Sequence, residues 1–119
     1  MTSSETNAAL KVDNAKAQMR KGILEYCILL ILAKNEAYAT QIISLLKESE
    51  LIVVEGTLYP LLNRLKNDGM LQYRWEESPQ GPPRKYYEIT QEGRGFLDQL
   101  NIAWDDLILS INAIRTVNA

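Results

Sequence analysis

From Leu97 to Ile114 the large apolar residues Leu97, Leu100, Trp104, Leu107, Ile111 and Ile114 recur at spacings of 3, 4, 3, 4 and 3. That is the a/d seam of a helix that packs lengthwise against another helix, held over about two and a half heptads. Phe96, Ala103 and Ile108 widen the seam. A chain of 119 residues holds one domain with one core. Such a core must serve this seam and a second helix, about Ala17 to Ala33, that is apolar on two sides. Met19, Ile23, Tyr26, Cys27 and Leu30 mark one of those sides, and Leu24, Ile28 and Ile31 mark the other. One small domain offers too little surface for both helices, so the seam predicts a C-terminal dimerisation helix over 91–119 and a homodimer. Packing within one chain is the alternative.

Between these helices the pattern changes twice. A short break at Asn35-Glu36 precedes a helix from about Thr40 to Ser49, which should bury Ile42, Ile43, Leu45 and Leu46. The β-branched stretch Leu51 to Glu55 leads into a third helix, about Gly56 to Asp68, where Leu58, Leu61, Leu62 and Leu65 follow the i, i+3, i+4, i+7 rule of one buried stripe. Pro60 is tolerable close to the first turn, where backbone N–H groups lack helical partners. Gly69 has the character of a residue that ends a helix in the left-handed conformation. Met70 to Glu76 and Arg84 to Ile89 are rich in strand formers. The intervening Ser78-Pro79-Gln80-Gly81-Pro82-Pro83 rules out helix and predicts an extended hairpin tip. Thr90 caps the final helix, with Glu92 favourable in its first turn.

The fold expected is therefore mainly α with a small β-hairpin: a winged helix-turn-helix plus a C-terminal dimerisation helix. Residues 1–16 form an N-terminal extension, partly disordered or helical, with 1–9 the most frayed. Residues 17–90 form the winged-helix domain, with the wing at about 71–90. In that arrangement the third helix enters the major groove and the hairpin reaches along the backbone. With the leucine stripe inward, Thr57, Tyr59, Pro60, Asn63, Arg64 and Asn67 are left outward. Asn63 suits an adenine edge, Arg64 a guanine or a phosphate, and Thr57 and Tyr59 suit phosphate oxygens. On the hairpin, Gln80 and Gly81 sit at the tip and Arg74, Arg84 and Lys85 flank it, where a wing meets phosphates or the minor groove. The competing explanation is a solvated helix face and a solubilising loop.

Composition removes other classes. The chain has no His and one Cys, which leaves no zinc cluster and no Ser/His or Cys/His dyad. No catalytic residue, metal or cofactor is expected, and the acids lie scattered along polar faces. The longest apolar run, Tyr26 to Ala33, is 8 residues, far short of the ~20 of a membrane span. The N-terminus lacks the basic and apolar regions of a secretory signal. A cytoplasmic location is expected, and Cys27 is either an inert buried thiol or a redox sensor. The net charge of −2 looks unsuited to a nucleic-acid partner. Its distribution is more permissive: from Gln91 onward two basic residues face four acidic ones, which leaves the first 90 residues neutral with eleven of each. A protein-interaction module without DNA binding is the alternative this charge keeps open.

The residues also carry a family likeness. The run Glu55-Gly56-Thr57-Leu58-Tyr59-Pro60-Leu61-Leu62-Asn63-Arg64-Leu65-Lys66-Asn67-Asp68-Gly69-Met70-Leu71 resembles the signature of PadR-like transcriptional regulators. Gly81-Pro82-Pro83-Arg84-Lys85-Tyr86-Tyr87-Glu88-Ile89-Thr90-Gln91-Glu92-Gly93 resembles their wing and final helix start, and Ile23 to Leu32 followed by Tyr38 resembles their opening. The likeness covers roughly residues 19–114. It departs at Ala37-Tyr38-Ala39-Thr40-Gln41-Ile42, where family members often read Tyr-Gly-Tyr-Glu-Ile. The resemblance implies a dimeric regulator of double-stranded operator DNA, usually a repressor, of the short subgroup with a single C-terminal helix. That helix would pair with its partner and with the partner's first helix. Thr57, Tyr59 and Arg64 carry over as DNA contacts, and Arg84 and Lys85 as wing contacts. It further implies a small hydrophobic or aromatic effector. In multidrug-responsive members a Trp at the place of Trp104 stacks flat ligands at the dimer centre, so Trp104 either binds such an effector or packs the dimer core.

Overall fold

The computed structural model describes residues 3–117; the extremes of the expected 1–16 and 91–119 segments lie outside the described residues. The elements run α1 (Ser3–Lys34), α2 (Ala39–Glu48), α3 (Glu55–Asn67), β1 (Leu71–Ser78), β2 (Gly81–Ile89) and α4 (Gln91–Thr116). This is the expected order of three helices, a hairpin and a last helix. The chain is mainly helical, with one two-stranded antiparallel sheet.

The first helix begins much earlier than its apolar pattern does. The frayed segment expected over residues 1–9 is helical from Ser3, and α1 runs unbroken for 32 residues. Ala8, Ala9, Lys11, Ala15, Ala17 and Gln18 are strong helix formers, and no Gly or Pro interrupts them before Gly22. Side chains 4–19 are all exposed, so intrinsic propensity rather than packing accounts for this arm.

The core is wholly apolar. Leu24, Ile28, Leu29 and Leu32 of α1 meet Ala39, Ile42 and Leu46 of α2, Leu58, Leu62 and Leu65 of α3, Leu71, Tyr87 and Ile89 of the hairpin, and Leu97 of α4. Of the two α1 sides, the one marked by Leu24, Ile28 and Ile31 turns into this core, while Met19 and Leu30 of the other remain exposed. Leu45 was expected inside and is exposed. With Ala39, Ile42 and Leu46 pointing inward at the i, i+3, i+4 spacing, Leu45 falls a quarter-turn off the stripe. Leu61 and Ile43 are half-buried at the core's edge.

Local chemistry explains the boundaries. The Tyr38 N–H donates to Gln41 Oε1 at 3.1 Å at the start of α2. Pro60 lies at the sixth residue of α3, just past the first turn; Gly56, whose carbonyl would have accepted its missing N–H, is exposed and can turn to water. At the other end Gly69 takes φ 83°, and the Met70 N–H closes back on the Leu65 carbonyl at 2.9 Å. Thr90 caps α4 as expected. Its Oγ1 accepts from the Gly93 N–H at 2.9 Å and donates to the Gly69 carbonyl at 2.7 Å, tying the start of α4 to the end of α3.

The hairpin is longer and tighter than the sequence indicates. The strands reach Ser78 and Gly81, leaving only Pro79-Gln80 as the turn. Pro82 and Pro83 lie inside β2 where the register slips, from Glu76 opposite Arg84 to Ser78 opposite Gly81. A bulge needs no ladder donor at those places, so two prolines fit there. The free edge of β2 is partly covered by Ala37, which exchanges backbone hydrogen bonds of 3.1 and 2.8 Å with Tyr87.

Candidate nucleic-acid interface

The leucine stripe turns the opposite surface of α3 to solvent. Thr57, Tyr59, Pro60, Asn63 and Arg64 are all exposed there, together with Lys66 and Asn67. Beside this helix the hairpin and the start of α2 enclose a groove of about 610 Å³. Of the wing and helix residues singled out from the sequence, Tyr59, Gln80, Gly81, Arg84 and Lys85 line this groove together. Thr57, Pro60, Asn63 and Arg64 lie on the α3 surface outside it.

The groove contains residues the sequence reading passed over. Tyr38 and Thr40 from the start of α2 and Trp75 from β1 line it as well. Their signal was present in the alternation of aromatic and basic residues along the hairpin, Tyr73-Arg74-Trp75 against Arg84-Lys85-Tyr86. In space this becomes a set of cation–π contacts. Lys85 Nζ lies 4.3 Å from the Tyr73 ring centre and 5.4 Å from that of Trp75, and the Arg84 guanidinium lies 4.5 Å over Tyr38. Arg74 sits 5.0 Å over Tyr86. Aromatic faces hold these cations in place without neutralising them.

Two arginines do meet carboxylates. Arg64 is paired with Glu25 of α1. Arg74 grips Glu36, in the turn after α1, with both Nε (3.1 Å to Oε2) and Nη2, and reaches Glu76 at 3.2 Å. The Arg74 hydrogen bond holds the Glu36 carboxyl below its ordinary range, and Glu36 in turn raises the Arg74 guanidinium. An arginine stays charged in any case, so these pairs dissolve only by exchange of partner.

The seam of α4 divides into two halves. Leu97 is buried in the chain's own core and Leu100 is half-buried at its edge. Trp104 is half-buried against Tyr26 of α1, with ring centres 6.0 Å apart and planes tilted by 40°. The Tyr26 hydroxyl donates to Asn101 Oδ1. Beyond that point Leu107, Ile111 and Ile114 are 55%, 48% and 73% exposed. A separate apolar groove of about 680 Å³ between α1 and α2 is lined by Cys27, Leu30, Leu45 and Leu51 among others. Burial pushes the Cys27 thiol above its ordinary value, which makes it less reactive. Among the described residues no cluster of His, Cys, Asp or Glu is arranged to hold a metal, and no helix is long and apolar enough to cross a membrane.

Known proteins share this arrangement. Residues 28–99 match the model of the transcriptional regulator PadR-like family. The chain is 61% identical to a PadR-like transcription factor of known structure from Bacteroides fragilis, with a TM-score of 0.73 over 85% of this chain and 98% of that one. A PadR family regulator from Eggerthella lenta, 27% identical, superposes with a TM-score of 0.84 over 95% of this chain and 99% of its own. A PadR-like regulator from Bacillus cereus is 35% identical, with a TM-score of 0.73 over 83% and 97% of the two chains. The matched segment spans the core, α2, α3 and the hairpin, the same residues that carry the exposed polar helix and its flanking groove. The chain therefore belongs to the PadR-like family of transcriptional regulators, built on a winged-helix fold of the DNA-binding kind.

Proposed function

We propose that this chain is a homodimeric repressor that binds operator DNA with α3 in the major groove and the hairpin along the adjacent backbone. The observation that carries this is the groove in which Tyr59 of α3 meets Gln80, Gly81, Arg84 and Lys85 of the wing. One surface thus offers base-reading and phosphate-binding groups side by side. Asn63 and Arg64 read base edges; Thr57, Tyr59, Arg84 and Lys85 hold phosphates; Gln80 and Gly81 enter the minor groove at the wing tip; Pro60 shapes the helix at its point of closest approach. The exposed half of the α4 seam, Leu107, Ile111 and Ile114, joins two copies, with Leu97 and Leu100 bracing α4 on its own core and Trp104 at the junction. A planar hydrophobic or aromatic effector stacks on Trp104 and releases the DNA. Residues 1–16 are then an arm outside the DNA-binding unit of 17–90, and 91–119 is the dimerisation segment.

Binding to the chain's own promoter fragment, measured at several salt concentrations, tests this. A specific complex weakens steeply with salt because each phosphate contact releases counterions. Arg64→Ala and Tyr59→Ala should each weaken binding about tenfold or more without altering thermal unfolding. Full-strength binding by both variants, or enrichment of no DNA sequence in an unbiased selection, would discard the assignment. For the effector, titration of planar aromatic compounds should change the emission of the wild type and leave Trp104→Ala unaffected.

A further inference from the structure

The two arginines at opposite sides of the proposed DNA face share an arrangement that DNA binding alone does not require. Arg64 of α3 is held by Glu25, and Arg74 of β1 is held in bidentate fashion by Glu36. Both acids come from one segment, the end of α1 and the turn after it. All four side chains are open to water, with side-chain exposures of 62% and 30% for the first pair and 45% and 35% for the second. Ion pairs so exposed are weak and salt-sensitive. They are strong enough to occupy an arginine and too weak to withhold it from a better partner.

We infer that Glu25 and Glu36 determine how well this protein distinguishes its operator from other DNA, each acting as a stand-in phosphate on its arginine. Random duplex offers only backbone charge, so engaging Arg64 or Arg74 exchanges one anion for another with little return. An operator adds base-edge contacts made by the same helix, and these cover the exchange. The mask acts on the sequence-independent part of binding, which Lys and Arg supply almost entirely. The net charge of −2 belongs to the same design: cationic groups are present on the DNA face but are matched until a specific site is met. This inference rests on the DNA-binding assignment of the preceding section and adds to it two acidic residues that touch no DNA.

The test compares affinities for the promoter fragment and for a random duplex of equal length, across a salt series. The proteins are wild type, Glu25→Gln, Glu36→Gln, Arg64→Ala, Arg74→Ala and the two double variants pairing each acid with its arginine. Glu48→Gln, which changes the same charge on α2, is the control. Each single acid variant should strengthen random-duplex binding several-fold, strengthen operator binding less, and steepen the random-duplex salt slope by about 0.9, the increment for one added phosphate contact. In the Arg64→Ala or Arg74→Ala background the corresponding acid variant should do nothing beyond what Glu48→Gln does. Equal strengthening of both duplexes, an unchanged slope, or an effect that survives loss of the arginine would overturn the inference and reveal only a general field. A wild type that binds neither duplex overturns the DNA assignment itself, a distinguishable result.

Discussion

Gly93 shows how much one residue can decide without announcing itself. A Cβ built there would lie 2.2 Å from the Met70 carbonyl oxygen and 2.8 Å from Ile89 Cγ1. Its neighbours are backbone and core, so nothing gives way. Gly93→Ala should destabilise the protein by about 3 kcal/mol or more, measured by urea unfolding, despite the ~1 kcal/mol that alanine gains as a helix former. From the sequence Gly93 reads only as a residue near a helix start, because the close approach of α4 to the α3–β1 junction is a tertiary fact. Thr90 and Gly69 were readable, since caps and left-handed turns depend on neighbours in the chain. Glu25 and Glu36 were not, for their partners lie 39 and 38 residues away. Titration follows from the same inventory. The chain has no His, and the described core contains no charged side chain. Glu36, depressed from its ordinary 4.5, contributes stability that fades as pH falls. Cys27, raised from its ordinary 9.0, contributes stability that is complete below that value and fades as pH rises through the raised one. Thermal stability should therefore be flat between about pH 5.5 and 8, with a small loss on either side. A melting midpoint that moves by several degrees within that window would contradict the apolar core.

Among the elements, helices were the most readable and the hairpin the least. The single stripe of α3 and the cap of α4 follow from spacing and local hydrogen bonding. The wing tip defeats such reasoning because Pro82 and Pro83 are strand breakers everywhere except at a bulge, and a bulge is a property of the pairing rather than of either strand. The candidate site shows the same division: Tyr59, Arg84 and Lys85 were found from local pattern, while Tyr38, Thr40 and Trp75 entered only when α2 and β1 were seen beside them. The arm of α1 illustrates the converse. It has no stripe, yet residues of high intrinsic propensity extend it from an anchored helix at no nucleation cost. Because side chains 4–19 contribute nothing to the core, deletion through Asn14 should leave the melting midpoint within about 2 °C, a change corresponding to a fraction of 1 kcal/mol. A large drop would assign the arm a packing role in the assembled protein.

For the molecule as a whole, shape is the most informative quantity. The radius of gyration is 17.7 Å and the extents are 55 × 37 × 23 Å, whereas a compact domain of this length is expected near about 13.5 Å. The excess comes from α1 and α4, which carry exposed apolar residues past the junction at Tyr26 and Trp104. Small-angle scattering with in-line light scattering should give about twice the 13.5 kDa chain mass, and charged replacements at Leu107 and Ile111 should return the protein to one chain mass. A wild type of single mass would remove the dimer from the proposal. The placement of the two tryptophans has one more consequence. Trp75 is open to water on the wing and Trp104 is half-covered on α4, so the intrinsic emission is the sum of a redder and a bluer component. A duplex arriving at the wing perturbs the first and a guest lodged at the helix junction perturbs the second, which lets both events be timed in one unlabelled sample.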